Sequence, residues 1–193
     1  ESPVRRIEAG DEGVALTAGG GTVEADVAVV AVGVQPAVEL ARDAGIWLGA
    51  GGAIAVDERL ATSQPHVWAA GDCAEVQHVV LGEAVSLPLG SLANRQGRTL
   101  ADILAGRSGR FPPVAGAVAV KAFDYNVAAT GCTLTRVREH GIAARAAWIT
   151  IEDRAHYWPE AKIVLLGMVY DPSSRRVLSV QGVSEEGEVA KRI

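Results

Sequence analysis

The sequence predicts an α/β region that gives way to an antiparallel α+β region, and three observations carry that expectation. Residues 25–34 (ADVAVVAVGV) form a continuous Val/Ala run, the mark of a strand buried on both faces of a parallel sheet. Residues 66–70 are a second short apolar run that ends at Gly71-Asp72, with a loop feeding a helix at Leu87-Pro88-Leu89-Gly90-Ser91. From Val114 onward the texture changes to alternating strands and tight turns, an antiparallel α+β layout.

Taken in order, residues 4–24 alternate loosely about turns at Gly10-Asp11-Glu12-Gly13 and Gly19-Gly20-Gly21, which predicts two or three short antiparallel strands. The glycine triplet lacks the strand–Gly-x-Gly-x-x-Gly–helix context of a phosphate loop, so a hairpin turn is expected there. Residues 36–45 read as a short helix, with Val38, Leu40, Ala41 and Ala44 on its apolar side and Gly45 as its stop. Residues 49–52 make a turn, 53–57 an alternating strand and 77–83 a loop. The helix after Leu89 carries Leu92, Leu100, Ile103 and Leu104 on roughly one side, stops at Gly106 and is followed by a linker over 107–113. Strands are then expected at 116–123, 125–130, 145–151, 163–170 and 176–183, the last two flanking the Asp171-Pro172-Ser173-Ser174 turn. Residues 133–141 read as a helix with Thr133 as N-cap, and 191–193 as the first turn of another.

Composition narrows the function classes. A chain of 193 residues with 49% hydrophobic side chains can bury real cores. Its net charge of −5 argues against a nucleic-acid partner. No apolar run reaches bilayer-spanning length and the first residues carry no apolar signal core, so a cytoplasmic protein with no membrane partner is expected. Cys73 and Cys132 match no disulfide, zinc or redox spacing, and neither has a neighbouring cation in sequence to lower its pKa. Both are expected to pack as small buried side chains. His66, His78, His140 and His156 show no metal spacing, and no metal site is expected.

The chemistry concentrates at the strand end. In open α/β sheets ligands gather outside the carboxyl ends of strands. Gly71 lets a ligand approach the backbone. The Asp72 carboxylate only accepts hydrogen bonds, which suits a polyhydroxyl chain and repels a bare phosphate. The N-terminus of the helix that follows carries unpaired N–H groups and partial positive charge, a seat for developing negative charge.

These residues resemble the FAD-binding motif of the pyridine nucleotide-disulfide oxidoreductases. The segment from Leu87 to Arg98 is similar to the Leu-Pro-Leu-Ala-x-x-Ala-Asn-x-x-Gly-Arg stretch of the branch holding coenzyme A disulfide reductases, NADH oxidases and NADH peroxidases. The approach to Gly71-Asp72 carries that family's Val56-Asp57-x-x-Leu60-x-Thr62-Ser63 pattern intact. The Ala25-Asp26-x-x-x-x-Ala31-x-Gly33-x-x-Pro36 segment resembles the end of its NAD(P)H-binding domain.

The resemblance implies three parts: 1–36, the end of an NAD(P)H-binding domain; 37–113, the carboxy-terminal part of an FAD-binding domain; and 114–193, a truncated dimerisation domain. It covers the family's carboxy-terminal half, so the sequence is expected to be a piece of a longer flavoprotein, inactive by itself. It implies FAD and NAD(P)H as cofactors, with Gly71, Asp72, Pro88, Leu89 and Ala93 at the flavin and Gly33 near the nicotinamide. It also implies a homodimer and a small disulfide substrate such as coenzyme A disulfide. Tyr157-Trp158-Pro159-Glu160-Ala161 resembles the family's Tyr-Tyr-Pro-Gly-Ala segment, with Trp for the second Tyr and Glu for Gly. Tyr157 matches a tyrosine that serves the other subunit's redox cysteine; by itself it reads equally as an interface aromatic. That cysteine lies on a helix this chain lacks, and the absence of a His-Pro pair favours the single-cysteine branch. An NADH oxidase or peroxidase, a non-catalytic dimerisation module and a ferredoxin- or rubredoxin-reductase relative stand as alternatives.

Overall fold

The computed structural model describes residues 3–11 and 13–185, which fall into two compact units, one up to Gln35 and one from Pro36. The helical turn expected at 191–193 lies outside the described residues. In the first unit, β1 (Val4–Gly10), β2 (Gly13–Ala18) and β3 (Gly21–Ala25) form an antiparallel meander in the order β1-β2-β3. The turns fall where the glycines predicted them. The buried parallel strand expected over 25–34 does not form. Past Ala25 the run has no regular structure, and Val27, Val29, Val30, Val32 and Val34 are all exposed. A two-face-buried strand needs hydrogen-bonded neighbours and cover on both sides. Among the described residues no strand pairs with this one.

The second unit opens with α1 (Glu39–Asp43), shorter than the helix expected over 36–45. It buries Val38 and Ala41 against Ile54, Ala69 and Ala74, whereas Leu40 and Ala44 face solvent. The strands expected at 53–57 and 66–70 shrink to isolated bridges, Ile54 with Leu48 and Ala74, and Trp68 with Ala61. His66 sits in a turn at φ 65° rather than in a strand. Side chains hold this stretch in place of a ladder. Asp57 Oδ1 accepts from Arg59 N (2.8 Å) and Ala61 N (2.9 Å), Thr62 Oγ1 donates to the Val67 carbonyl (3.0 Å), and Ser63 Oγ accepts from Trp47 N (3.0 Å).

A small hairpin of β4 (Val76–Gln77) and β5 (Ala84–Val85) brackets the turn at 78–82. Then comes α2 (Gly90–Leu104), which buries Leu92, Gln96 and Ile103. Leu92 joins Leu60, Val76, Val85, Phe111 and Val114 in one core. The expected linker is therefore packed: Phe111 is buried, its N–H bonds to the Glu58 carbonyl, and the Arg95 guanidinium lies 5.5 Å from its ring centroid.

The remaining strands are β6 (Ala117–Ala122), β7 (Tyr125–Gly131), β8 (Arg145–Glu152), β9 (Ile163–Tyr170) and β10 (Val177–Ser184). They make one antiparallel sheet ordered β6-β7-β10-β9-β8, close to the expected bounds. Between β7 and β8 runs α3 (Leu134–Glu139), capped by Thr133 Oγ1 on Arg136 N (3.3 Å) as its sequence predicts. Val137 of α3, Cys132, Val169 and Leu178 form a second core with Val80 from the 78–82 turn. The β9–β10 turn is tied by Asp171, whose carboxylate accepts from the hydroxyls of Ser173 and Ser174 and is held well below the usual carboxylate range by them. Among the described residues no helix is long and apolar enough to cross a membrane.

Candidate functional site

Gly71 and Asp72 begin a turn closed by Ala74 N–H on the Gly71 carbonyl (3.0 Å). Gly71 takes φ 96°, which disfavours any side chain, and a Cβ built there meets nothing within 4 Å. The glycine thus serves conformation, and open space lies before it. Beyond the turn, Ile54 N donates to the Cys73 carbonyl (2.7 Å) and Glu75 N to the Ile54 carbonyl (3.1 Å). Asp72 sits at the apex, its carboxylate exposed and with no hydrogen bond among the described residues. Cys73 is half-buried rather than buried, its Sγ 3.7 Å from the Ala70 carbonyl.

The other end of the turn is held by a residue that the sequence reading passed over. Gln96 is 1% exposed, and its Oε1 accepts from Gly71 N at 2.7 Å. This bond joins the Gly71-Asp72 turn to α2, which the motifs describe separately. The signal was present in the sequence. Gln96 falls on the same helical stripe as Leu92, Leu100 and Ile103, a polar residue where the period calls for an apolar one. Glu75, also missed, plays a related part: it is buried, and its Oε2 accepts from Ala50 N (3.0 Å).

Pro88 and Leu89 lead into α2. Leu89 is the N-cap residue in extended geometry, with no side-chain cap, and the first turn holds no acidic residue. Leu89 packs on the core and Ala93 is half-buried, whereas Pro88 and Gly90 are exposed. The uncapped first turn leaves backbone donors available to an anionic or hydrogen-bond-accepting group.

The rest of the motif is architecture. Asp57, Thr62 and Ser63 are spent on backbone groups, and Leu60 is a core residue at 1% exposure and φ 60°. Gly33, in the first unit, is exposed at φ 86° with open space beside it. Tyr157 lies in the β8–β9 loop, 77% exposed and edge-on to the His156 ring, with centroids 6.0 Å apart. Among the described residues no contact brings it to the Asp72 turn. Glu160, where the resembling segment has glycine, keeps a negative φ, so the substitution is accommodated there.

A second titratable cluster lies away from the turn. His78 Nδ1 accepts from Val80 N (3.2 Å) and Leu81 N (3.3 Å), which fixes the proton on Nε2, 3.3 Å from the Cys132 sulfur. Burial lowers the His78 pKa and raises that of Cys132; the nearby Arg136 charge does not offset burial at the thiol. The pair is a neutral imidazole and a thiol, a packed contact with no activated nucleophile. His140 closes the edge of this cluster, with Nδ1 2.8 Å from the Arg136 carbonyl and Nε2 2.7 Å from Glu83 Oε1. Those two acceptors raise its pKa, the carbonyl most. No group of His, Cys, Asp and Glu among the described residues could hold a metal.

The family model described as pyridine nucleotide-disulphide oxidoreductase matches residues 1–97, which include the whole Asp72 turn and the start of α2. The chain belongs to that family. Its members depend on FAD and use NAD(P)H. The chain is 37% identical over 183 residues to an NAD(P)H sulfur oxidoreductase (CoA-dependent) of Pyrococcus abyssi, covering 95% of this chain and 41% of the relative. It is 33% identical to an NADH oxidase of Methanocaldococcus jannaschii, covering 99% of this chain and 42% of that one. Among solved structures, an NAD-dependent persulfide reductase from A. fulgidus superposes with TM-score 0.91 at 38% identity, over 100% of this chain and 36% of that one. The chain thus spans about two-fifths of the length of the relatives it matches.

The donor set fits a flavin dinucleotide. An acceptor-only carboxylate stands exposed on a turn with open space before its glycine, and an uncapped 15-residue helix is tied to that turn. Asp72 suits the hydroxyls of the sugar-alcohol arm, and the first turn of α2 suits an electron-rich ring edge.

Proposed function

We propose that this chain is the carboxy-terminal portion of a homodimeric, FAD-dependent NAD(P)H oxidoreductase that reduces a small sulfur–sulfur bond, such as coenzyme A disulfide or a persulfide. The observation that carries the reading is the exposed Asp72 carboxylate on a turn braced at both ends. FAD held there would supply the two-electron redox chemistry between a nicotinamide hydride and a sulfur acceptor. Asp72 accepts hydrogen bonds from the sugar-alcohol hydroxyls and fixes the position of the arm. The N–H groups after Leu89 stabilise negative charge as it develops, because they are preorganised and carry the helix's positive end. Pro88 and Ala93 line that approach, and Gly33 gives the nicotinamide access to backbone.

The domain boundaries proposed are 1–36, 37–113 and 114–193. Dimerisation is assigned to the last. Its sheet exposes Val118, Val120, Trp148, Ile149 and Leu165, more apolar surface than a solvated sheet needs. Tyr157, exposed on the β8–β9 loop, donates its phenol hydrogen to a sulfur of the partner subunit's site. The redox thiol is assigned, on the resemblance, to a part of the protein outside this chain; Cys132 is buried, and Cys73 lies half-buried with its Sγ toward the Ala70 carbonyl. The two relatives named for sulfur and persulfide reduction favour a sulfur substrate over oxygen.

A second reading, an NADH oxidase, is favoured by the Methanocaldococcus jannaschii relative. NAD(P)H oxidation by the full-length protein, measured anaerobically with coenzyme A disulfide, a persulfide or peroxide and separately in aerated buffer with oxygen as the acceptor, separates the two. Fast turnover with a sulfur acceptor is the expected result. Fast turnover with oxygen or peroxide alone overturns the sulfur assignment.

A further inference from the structure

Gln96 holds an arrangement that stability alone does not account for. Its Oε1 takes the Gly71 N–H at 2.7 Å, yet its Nε2 is buried and has no hydrogen-bond partner. The amide cannot be flipped to rescue that nitrogen, because only the oxygen can accept from an N–H. A Leu or Met at this position of the apolar stripe would carry no orphan donor of its own, but it would take away the acceptor of the Gly71 N–H. What the amide adds over an apolar side chain is therefore the fixed geometry of one backbone group, the N–H of Gly71.

That group begins the Asp72 turn. Its far end is already fixed by the Ile54 bonds to Cys73 and Glu75, so Gln96 removes the remaining freedom at the near end. It does so from the second turn of α2, whose N-terminus is the other half of the flavin site in the reading above. We infer that Gln96 is a positioning residue for flavin binding: it fixes where the Asp72 carboxylate stands relative to α2 and touches no part of the flavin itself. The inference rests on the proposal that Asp72 holds the sugar-alcohol arm of FAD.

The test is a double-mutant cycle on FAD affinity in the full-length apoprotein, read by flavin fluorescence, with the melting temperature of each apoprotein alongside. Gln96→Leu removes the acceptor and weakens FAD binding by about tenfold or more, without lowering the apoprotein's melting temperature in proportion. Gln96→Glu, which keeps an oxygen in place, stays within about threefold of wild type. Asp72→Ala and the Asp72→Ala/Gln96→Leu double variant bind FAD equally weakly, because Gln96 acts through Asp72. If Gln96→Leu does not fold, Gln96→Met, with the stem retained and the acceptor lost, takes its place. The inference is overturned if wild type binds FAD and Gln96→Leu binds within twofold of it, or if the two losses multiply in the double variant. If wild type binds no FAD at all, the flavin reading itself fails.

Discussion

Two stretches of the second unit fix their backbones by different means. Over residues 54–75 there is almost no ladder, and side chains do the holding: Asp57 takes two backbone N–H groups, Thr62 and Ser63 close the loop, Glu75 takes the Ala50 N–H and Gln96 the Gly71 N–H. Over residues 117–184 the five antiparallel strands satisfy one another, so the backbone does not need the side chains, some of which pack into the second core while others face outward. The difference governs what each stretch can present. The first offers, in Asp72, an exposed carboxylate on a braced turn with no partner among the described residues. The second offers a repeating, partly apolar surface suited to a flat partner.

The contrast breaks most completely at the core beneath the first stretch. Leu60→Ala in the full-length protein should lower the unfolding free energy by about 3–5 kcal/mol in urea titration. A loss under 1 kcal/mol would mean that the side-chain braces hold the stretch unaided. The braces themselves come next: Asp57→Ala should cost about 1–2 kcal/mol through its two backbone bonds. Thr150→Val on the outer strand β8 should stay within about 0.5 kcal/mol, since the ladder there does not use that side chain. Equal costs at the two positions would erase the distinction. On the same strand, the dimer proposed above predicts that Ile149→Glu shifts sedimentation from dimer to monomer while leaving the melting profile of each subunit nearly unchanged.

The smallest expected effect is on pH dependence, and it arises at the 78–82 turn that packs on the second stretch. Burial holds His78 neutral with a pKa below 6.5, so the unfolded chain takes up a proton that the folded chain resists. Stability from this residue is therefore lost as pH falls below about 6.5. His140 has the opposite sign. Its raised pKa gives stability that is complete below about 6.5 and fades as pH rises through the folded value. Urea midpoints between pH 5 and 8 should show a flatter acid limb in His78→Asn and a flatter alkaline limb in His140→Gln. An unchanged acid limb in His78→Asn would contradict the buried, neutral imidazole.

What the sequence made legible follows the same division. The strands of the five-stranded sheet were placed to within a residue or two, because alternation and turn residues such as Asp171-Pro172 are local signals. The Asp72 turn and α2 were legible from glycine, carboxylate and helix-start chemistry. Two apolar runs misled: 25–34 and 66–70 have the composition of buried strands, but strand formation depends on neighbours that composition does not supply. The long-range braces were missed because they join residues far apart in sequence, as Gln96 does with Gly71 and Glu75 with Ala50. Gln96 alone left a trace, as the polar break in an apolar stripe.

The role given to Asp72 has one direct test: FAD affinity of the full-length apoprotein, wild type against Asp72→Ala. The carboxylate is exposed and braces nothing within the described residues, so its removal should leave the circular dichroism spectrum unchanged. Loss of the charged hydrogen bonds to the sugar-alcohol arm should weaken FAD binding by about a hundredfold. An affinity equal to wild type would contradict the assignment of this turn to the flavin.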